Sequence, residues 1–195
     1  YALPFLSPGA RKLFTGNGDA PSADVLFTNG TAQSYEATGI NDSKQIVVWP
    51  DPAVAGAAAD NTSAVFPGGI SLPFESSLHE STFHPINNAG WVVGTDQTTD
   101  HGKLWKNGPI VDLPPLAGDN ASSANAINNK GDVIGKSYTT SGGCWKAVKW
   151  DHNDYAHPID LNTKTTSTWQ LGEAYASNGK GQVVGAGRAD KTCPG

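Results

Sequence analysis

The chain of 195 residues contains no methionine and two cysteines, and only 16% of its residues are charged. Each scarcity excludes something. The net charge of -5 is spread without runs of one sign, so there is no basic face for nucleic acid or for an anionic membrane. No apolar run approaches the roughly 18 residues of a membrane span. The opening Tyr1-Ala2-Leu3-Pro4-Phe5-Leu6 is too short for a signal peptide and lacks the charged start of one. The missing methionine, at position 1 included, fits a mature or excised product whose leader has gone. Two cysteines suit a single disulfide in an oxidising compartment, and the expectation is a secreted, extracellular protein. Helical periodicity is missing as well, because Gly or Pro interrupts every apolar stripe within a window of about 11 residues.

Gly (23) and Pro (13) are plentiful, as in proteins built of short strands and turns. One stretch recurs. Ile127 to Gly135 has copies at Ile40 to Val48, Ile86 to Gly94 and Ser177 to Gly185. Each reads as a strand end, an Asn- and Gly-carried turn and the start of a second strand. Between these hairpins lie four aromatic-ended strands, Val25-Leu26-Phe27, Ser63-Ala64-Val65-Phe66, Lys103-Leu104-Trp105 and Ala147-Val148-Lys149-Trp150. The resulting period of roughly 40 to 50 residues predicts an all-β, β-propeller-like array of four repeats of short antiparallel strands. Residues 1–24 read as an irregular leading arm and 25–195 as a single domain, with units at 25–49 joined to 183–195, 50–94, 95–135 and 136–182. The strand near Phe27 is expected to pair with that near Val183 and close the ring, which would leave no unpaired edge. A slice of a larger propeller is the alternative, as is a missing strand supplied by a neighbouring copy.

The run Asp112-Leu113-Pro114-Pro115-Leu116-Ala117-Gly118 through Ser123-Ala124-Asn125-Ala126-Ile127-Asn128-Asn129-Lys130-Gly131-Asp132-Val133-Ile134-Gly135 resembles the HAF repeat, an extracellular repeat family. The resemblance covers most of residues 25 to 185. The His-Ala-Phe that names the family is replaced by Gly102-Lys103-Leu104 and Ala147-Val148-Lys149, and Lys44 and Val48 stand where Gly is expected. The resemblance implies export and supplies no reaction.

Chemistry-bearing constellations are sparse. Only Asp42 and Asp132 bring negative charge near the Asn-rich turns, too few carboxylates for a calcium loop. His79 and His84 are five apart rather than the four a zinc-binding helix needs, and His101, His152 and His157 are scattered in turns, so no metal or cofactor is expected. No catalytic residue is assigned. Asp96, Asp100, Asp119, Asp151, Asp154 and Glu173 could supply carboxylates to a propeller glycosidase or lyase, which is kept as an alternative. Cys144 and Cys193 fall at near-equivalent places in successive units and are expected to form a disulfide that pins the C-terminal tail. Sequons at Asn29, Asn41, Asn61 and Asn120 permit glycosylation.

Trp105 and Trp150 sit at the repeated aromatic position and are expected in the core. Trp49, Trp91 and Trp145 break the pattern; Trp91 replaces residues that are polar in the other copies, Gln45, Asp132 and Gln182, and is expected to face solvent. Exposed aromatic faces stack on sugars or fill a partner's pocket. The reading is a secreted, non-catalytic binding or scaffolding module for carbohydrate or an extracellular surface protein. A structural subunit of an extracellular assembly or filament, self-associating through the N-terminal arm, is the first alternative.

Overall fold

The computed structural model describes residues 12–15, 24–28, 35–50, 63–66, 70–74, 84–166 and 168–189. Its strands are β1 (Lys12–Thr15), β2 (Asp24–Thr28), β3 (Tyr35–Ile40), β4 (Ile46–Pro50), β5 (Ala64–Phe66), β6 (Ile70–Ser71), β7 (Val92–Asp96) and β8 (His101–Trp105). They continue with β9 (Ile110–Leu113), β10 (Ala121–Ile127), β11 (Val133–Tyr138), β12 (Lys146–Asp151), β13 (Asp154–Asp160), β14 (Gln170–Ser177) and β15 (Val183–Arg188). One 3-10 turn, Leu161–Lys164, follows β13. The described residues contain no α-helix, as the broken apolar periodicity predicts.

All strand pairing within the sheets is antiparallel and sequential: β1-β2, β3-β4-β5-β6, β7-β8-β9, β10-β11-β12-β13 and β14-β15. The sheet boundaries fall before each Asn-rich hairpin, so β10 shares a sheet with β11 and not with β7 to β9, where the unit 95–135 places it. The leading arm is not wholly irregular, since β1 lies within it and pairs with β2. The expected closure through Phe27 is not found among the described residues: β2 pairs with β1, β15 pairs with β14, and the two pairs are separate sheets.

Neighbouring sheets bury apolar side chains against each other. Val47, Val65, Leu72 and Phe74 pack with Ile86, Val92 and Trp105. Val93, Leu104 and Leu113 pack with Ala124, Ile127, Val133, Val148 and Trp150. A third cluster joins Ala126, Ile134 and Ala147 to Ala174, with Leu161, Leu171 and Val183 at its margin. Trp105 and Trp150 are therefore core residues, as their repeat position predicts. The strand before the turn carries an irregularity in three units, between Ala37 and Gly39, Ala124 and Ala126, and Ala174 and Ala176. In two of these units glycine stands opposite it, Gly135 and Gly185, and in the first Val48 does. A Cβ at Gly135 would lie 1.9 Å from the Ser123 carbonyl oxygen, and one at Gly185 2.0 Å from that of Glu173.

The first Asn of each turn fixes the turn, and in three of the four it also holds the neighbouring unit. Asn87 Oδ1 accepts from the Ala89 and Trp91 amides at 3.1 and 3.0 Å, and Asn41, Asn128 and Asn178 do the same in their turns. The other end of the side chain reaches the following unit. Asn41 Nδ2 donates to the Asn87 carbonyl at 2.9 Å, Asn87 Nδ2 to that of Asn128 at 3.2 Å, and Asn128 Nδ2 to that of Asn178 at 3.3 Å. A second rail runs outside the first, with the Asp42 amide donating to Asn88 Oδ1 and the Asn88 amide to Asn129 Oδ1. Gly90, Gly131 and Gly181 take the positive φ that the turn demands, and Lys44 takes it in the first unit at φ 60°, a conformation costing a residue with a Cβ roughly 1–2 kcal/mol.

Asp keeps the oxygen that closes the turn and loses the amide donor. Asn87→Asp is therefore expected to destabilise the protein by about 2 kcal/mol, the cost of a broken buried hydrogen bond with a carboxylate facing a carbonyl. Asn178→Asp should cost less, because Asn178 Nδ2 donates to Gln182 Oε1 in its own turn. Urea unfolding of the two variants gives the comparison, and equal losses would contradict the inter-unit role.

Candidate functional site: an aromatic cleft on β14 and β15

The off-pattern tryptophans part company. Trp49, on β4, is 4% exposed and offers no face to a ligand. Trp91 is half-buried against the cluster of Val93, Leu104 and Trp150. Its ring lies over the next turn, where a Cβ at Gly131 would come within 2.8 Å of it, and Lys106 Nζ stands 4.2 Å from its centroid. The expectation that Trp91 faces solvent fails for a specific reason. Polar residues at that repeat position do not simply face water: Gln45, Asp132 and Gln182 accept the turn Asn amide. Trp91 replaces that acceptor with inter-unit packing.

Trp145 is different. It precedes β12, is 48% exposed, and borders a cleft of about 260 Å³ with Gly172, Glu173, Tyr175, Ala186, Gly187 and Arg188. Lys136 Nζ lies 4.0 Å from its ring centroid, and the same ammonium pairs with Glu173 Oε1 at 3.2 Å. Lys136 and Glu173 are both buried, and such a pair holds only when its remaining hydrogen-bonding capacity is met. Asn125, at the irregular point of β10, donates to Glu173 Oε1 at 3.0 Å and to the Ala174 carbonyl at 2.9 Å. Burial, and secondarily the Glu173 charge, pushes the Tyr175 phenol up from its ordinary value. The cleft thus combines an aromatic face, an anchored carboxylate and the exposed Arg188.

Sequence spacing did not foresee this grouping. Glu173 and Tyr175 lie on β14, Arg188 on β15 and Trp145 before β12, and only the packing of the two sheets brings them together. Trp169, 51% exposed in the loop before β14, was likewise missed because that loop has no counterpart in the other units.

A second cluster joins Asp132, Asp151 and His152, whose ligand atoms lie within 4.8 Å of one another. Lys149 Nζ is already 3.1 Å from both Asp132 Oδ2 and Asp151 Oδ2, and His152 Nδ1 is 2.8 Å from Asp132 Oδ1. The carboxylates are thereby paired from within the protein. Burial alone would raise the Asp132 carboxyl, but hydrogen bonds from His152, Lys149 and Asn128 outweigh it and hold the group at about 2. Burial, with the Asp132 and Asp151 charges, pushes Tyr155 up to about 12, so its hydroxyl remains a donor, to the Gly131 carbonyl at 2.8 Å.

Three more of the candidate acids are also engaged. Asp96 accepts from Thr98 and Thr99, Asp119 from Ser137 and Lys146, and Asp154 faces His157. His101 contacts Asp112 at 3.0 Å. Asp100 has a φ of 55° in the turn before β8. His84 is exposed, and its parallel bridge to Ala126 ties two sheets; His79 lies outside the described residues. Among the sequons, Asn41 is buried with its amide bonded to Asn87, which leaves no place for a glycan in the folded chain. Asn120 is exposed, and Asn29 and Asn61 lie outside the described residues. So does Cys193, while Cys144 is buried and is not a free thiol.

The sign of the Asp132 shift sets a pH window. A carboxyl at about 2 in the folded chain and near 3.9 when unfolded contributes stability that is complete above about pH 4 and is lost as the pH falls toward about 2. Asp132→Asn should flatten the fall of the melting temperature across that interval; an unchanged slope would contradict the assignment. No family model, curated protein or solved structure matches the chain.

Proposed function

We propose that the protein is a secreted, non-catalytic binding module that recognises carbohydrate through the Trp145 cleft. The observation that carries this reading is the half-exposed Trp145 ring poised over Lys136, beside Glu173, Tyr175 and Arg188. A sugar offers apolar C–H faces to an aromatic ring and hydroxyls to a carboxylate and a guanidinium. The engagement of Asp96, Asp119, Asp151, Asp154 and Glu173 by hydroxyl, lysine or histidine partners supports binding over hydrolysis. Export rests on the composition and on the resemblance to the HAF repeat. On the same reading the sheets form a propeller-like array of four units. Its support is that turn residues Asp42, Asn88, Asn129 and Gly179, one from each repeat, line a common cavity of about 790 Å³. The assembly reading also has an observation in its favour: among the described residues β15 pairs with β14 alone, and Val184 is 64% exposed.

Trp145→Ala is expected to leave the fold intact and weaken glycan-array binding about tenfold, the effect of losing roughly 1.4 kcal/mol at an aromatic anchor, while Trp169→Ala leaves the array profile unchanged. Loss in neither variant would remove the carbohydrate reading and leave a surface protein as ligand. The chain has no third cysteine, so Cys144 and Cys193 are assigned to one bond. Intact mass should show two alkylations only after reduction; alkylation of the unreduced chain would contradict that bond.

A further inference from the structure

The strand counts leave two halves. The sheets β3 to β6 and β10 to β13 have four strands, whereas β14-β15 and β1-β2 have two each. In every complete unit the strand after the Asn turn pairs next with an aromatic-ended third strand, in one fixed register. The residue five past the turn Asn stands opposite the aromatic: Ile46 opposite Phe66, Val92 opposite Trp105 and Val133 opposite Trp150. Its counterpart on β15 is Val183, five past Asn178, and β15 has no second partner strand among the described residues.

We propose that β1 of the same chain, whose only partner strand in the described structure is β2 in a sheet separate from β14-β15, docks as that third strand, pairing antiparallel along β15 with Phe14 opposite Val183, Leu13 opposite Val184 and Lys12 opposite Gly185, and that β2 is the fourth strand outside it. Three observations converge. Lys12-Leu13-Phe14, followed by Gly16-Asn17-Gly18, matches Lys103-Leu104-Trp105 with its Asn107-Gly108 turn. The β1-β2 ladder shifts register between Leu13 and Phe14, and the β12-β13 ladder shifts after Lys149, the residue that corresponds to Leu13. The inter-sheet clusters containing Trp105 and Trp150 are filled by those rings. The third cluster has no aromatic member among the described residues. Beside it runs a groove of about 740 Å³ whose lining includes Ala147, Leu161, Trp169, Leu171 and Val183, the place where the repeat positions Phe14.

The assignment rests on the propeller-like reading and differs from closure through Phe27. Cross-linking separates them. Leu13→Cys combined with Val184→Cys should give, under mild oxidation, a monomer with a bond joining positions 13 and 184 in its peptide map, since directly opposed strand residues lie within disulfide reach. Leu26→Cys with Val184→Cys should give none. A bond from position 26 alone would overturn the strand assignment and leave the ring. A 13-to-184 bond found only in dimers would overturn the same-chain occupant in favour of a second copy. Bonds from neither, in variants retaining the wild-type circular dichroism spectrum, would overturn both the assignment and the ring. Hydrogen exchange on the unmodified chain gives a readout independent of any substitution. With β1 in place, amides on both edges of β15 are protected; protection only of those facing β14 would overturn the proposal.

Discussion

A single amide side chain, used at both ends, is the interaction on which the described structure depends. The oxygen of the first turn Asn closes the hairpin, and its NH₂ donates across to the next unit's backbone. Asp could do the first and Ser a weaker version of it, but neither supplies the amide donor. The two tasks lock local geometry to tertiary placement: a turn that loses its shape also loses its grip on the neighbour. Apolar burial between sheets supplies most of the driving force, while this linkage sets which face of one sheet meets which face of the next.

The repeat period, the antiparallel pairing and the burial of Trp105 and Trp150 were legible in the sequence because strands joined by tight turns keep their contacts near in sequence. The second task of Asn was not. Glycine and Asn in a hairpin are sufficiently explained by left-handed backbone geometry, so nothing in the repeat itself announces a bond spanning 41 or more residues. The same blindness misplaced Trp91. Its repeat partners are polar because they accept the Asn amide, so polarity at that position is no sign of exposure.

The candidate cleft shows the other limit. Trp145 was visible as a departure from the pattern, yet Glu173 stood only as one of several loop acids and Lys136 carried no signal. They become a buried ion pair where β11 packs against β14, and Asn125, at the irregular point of β10, adds a hydrogen bond to the same carboxylate. Departures from a repeat mark where to look; the partners of a departing residue come from units whose spacing the repeat fixes only loosely.

In the inner row of inter-unit bonds the donor must be Asn, whereas the acceptor is a main-chain carbonyl that any residue carries. Sequence tolerance across each junction is therefore lopsided. A duplicated or exchanged unit would find the acceptor of its inner bond already in place in whatever follows it, while the outer row still asks for Asn there. Growth or loss of units in such an array is limited by how the apolar faces fit, and the outer strands and loops stay free to diversify what they meet.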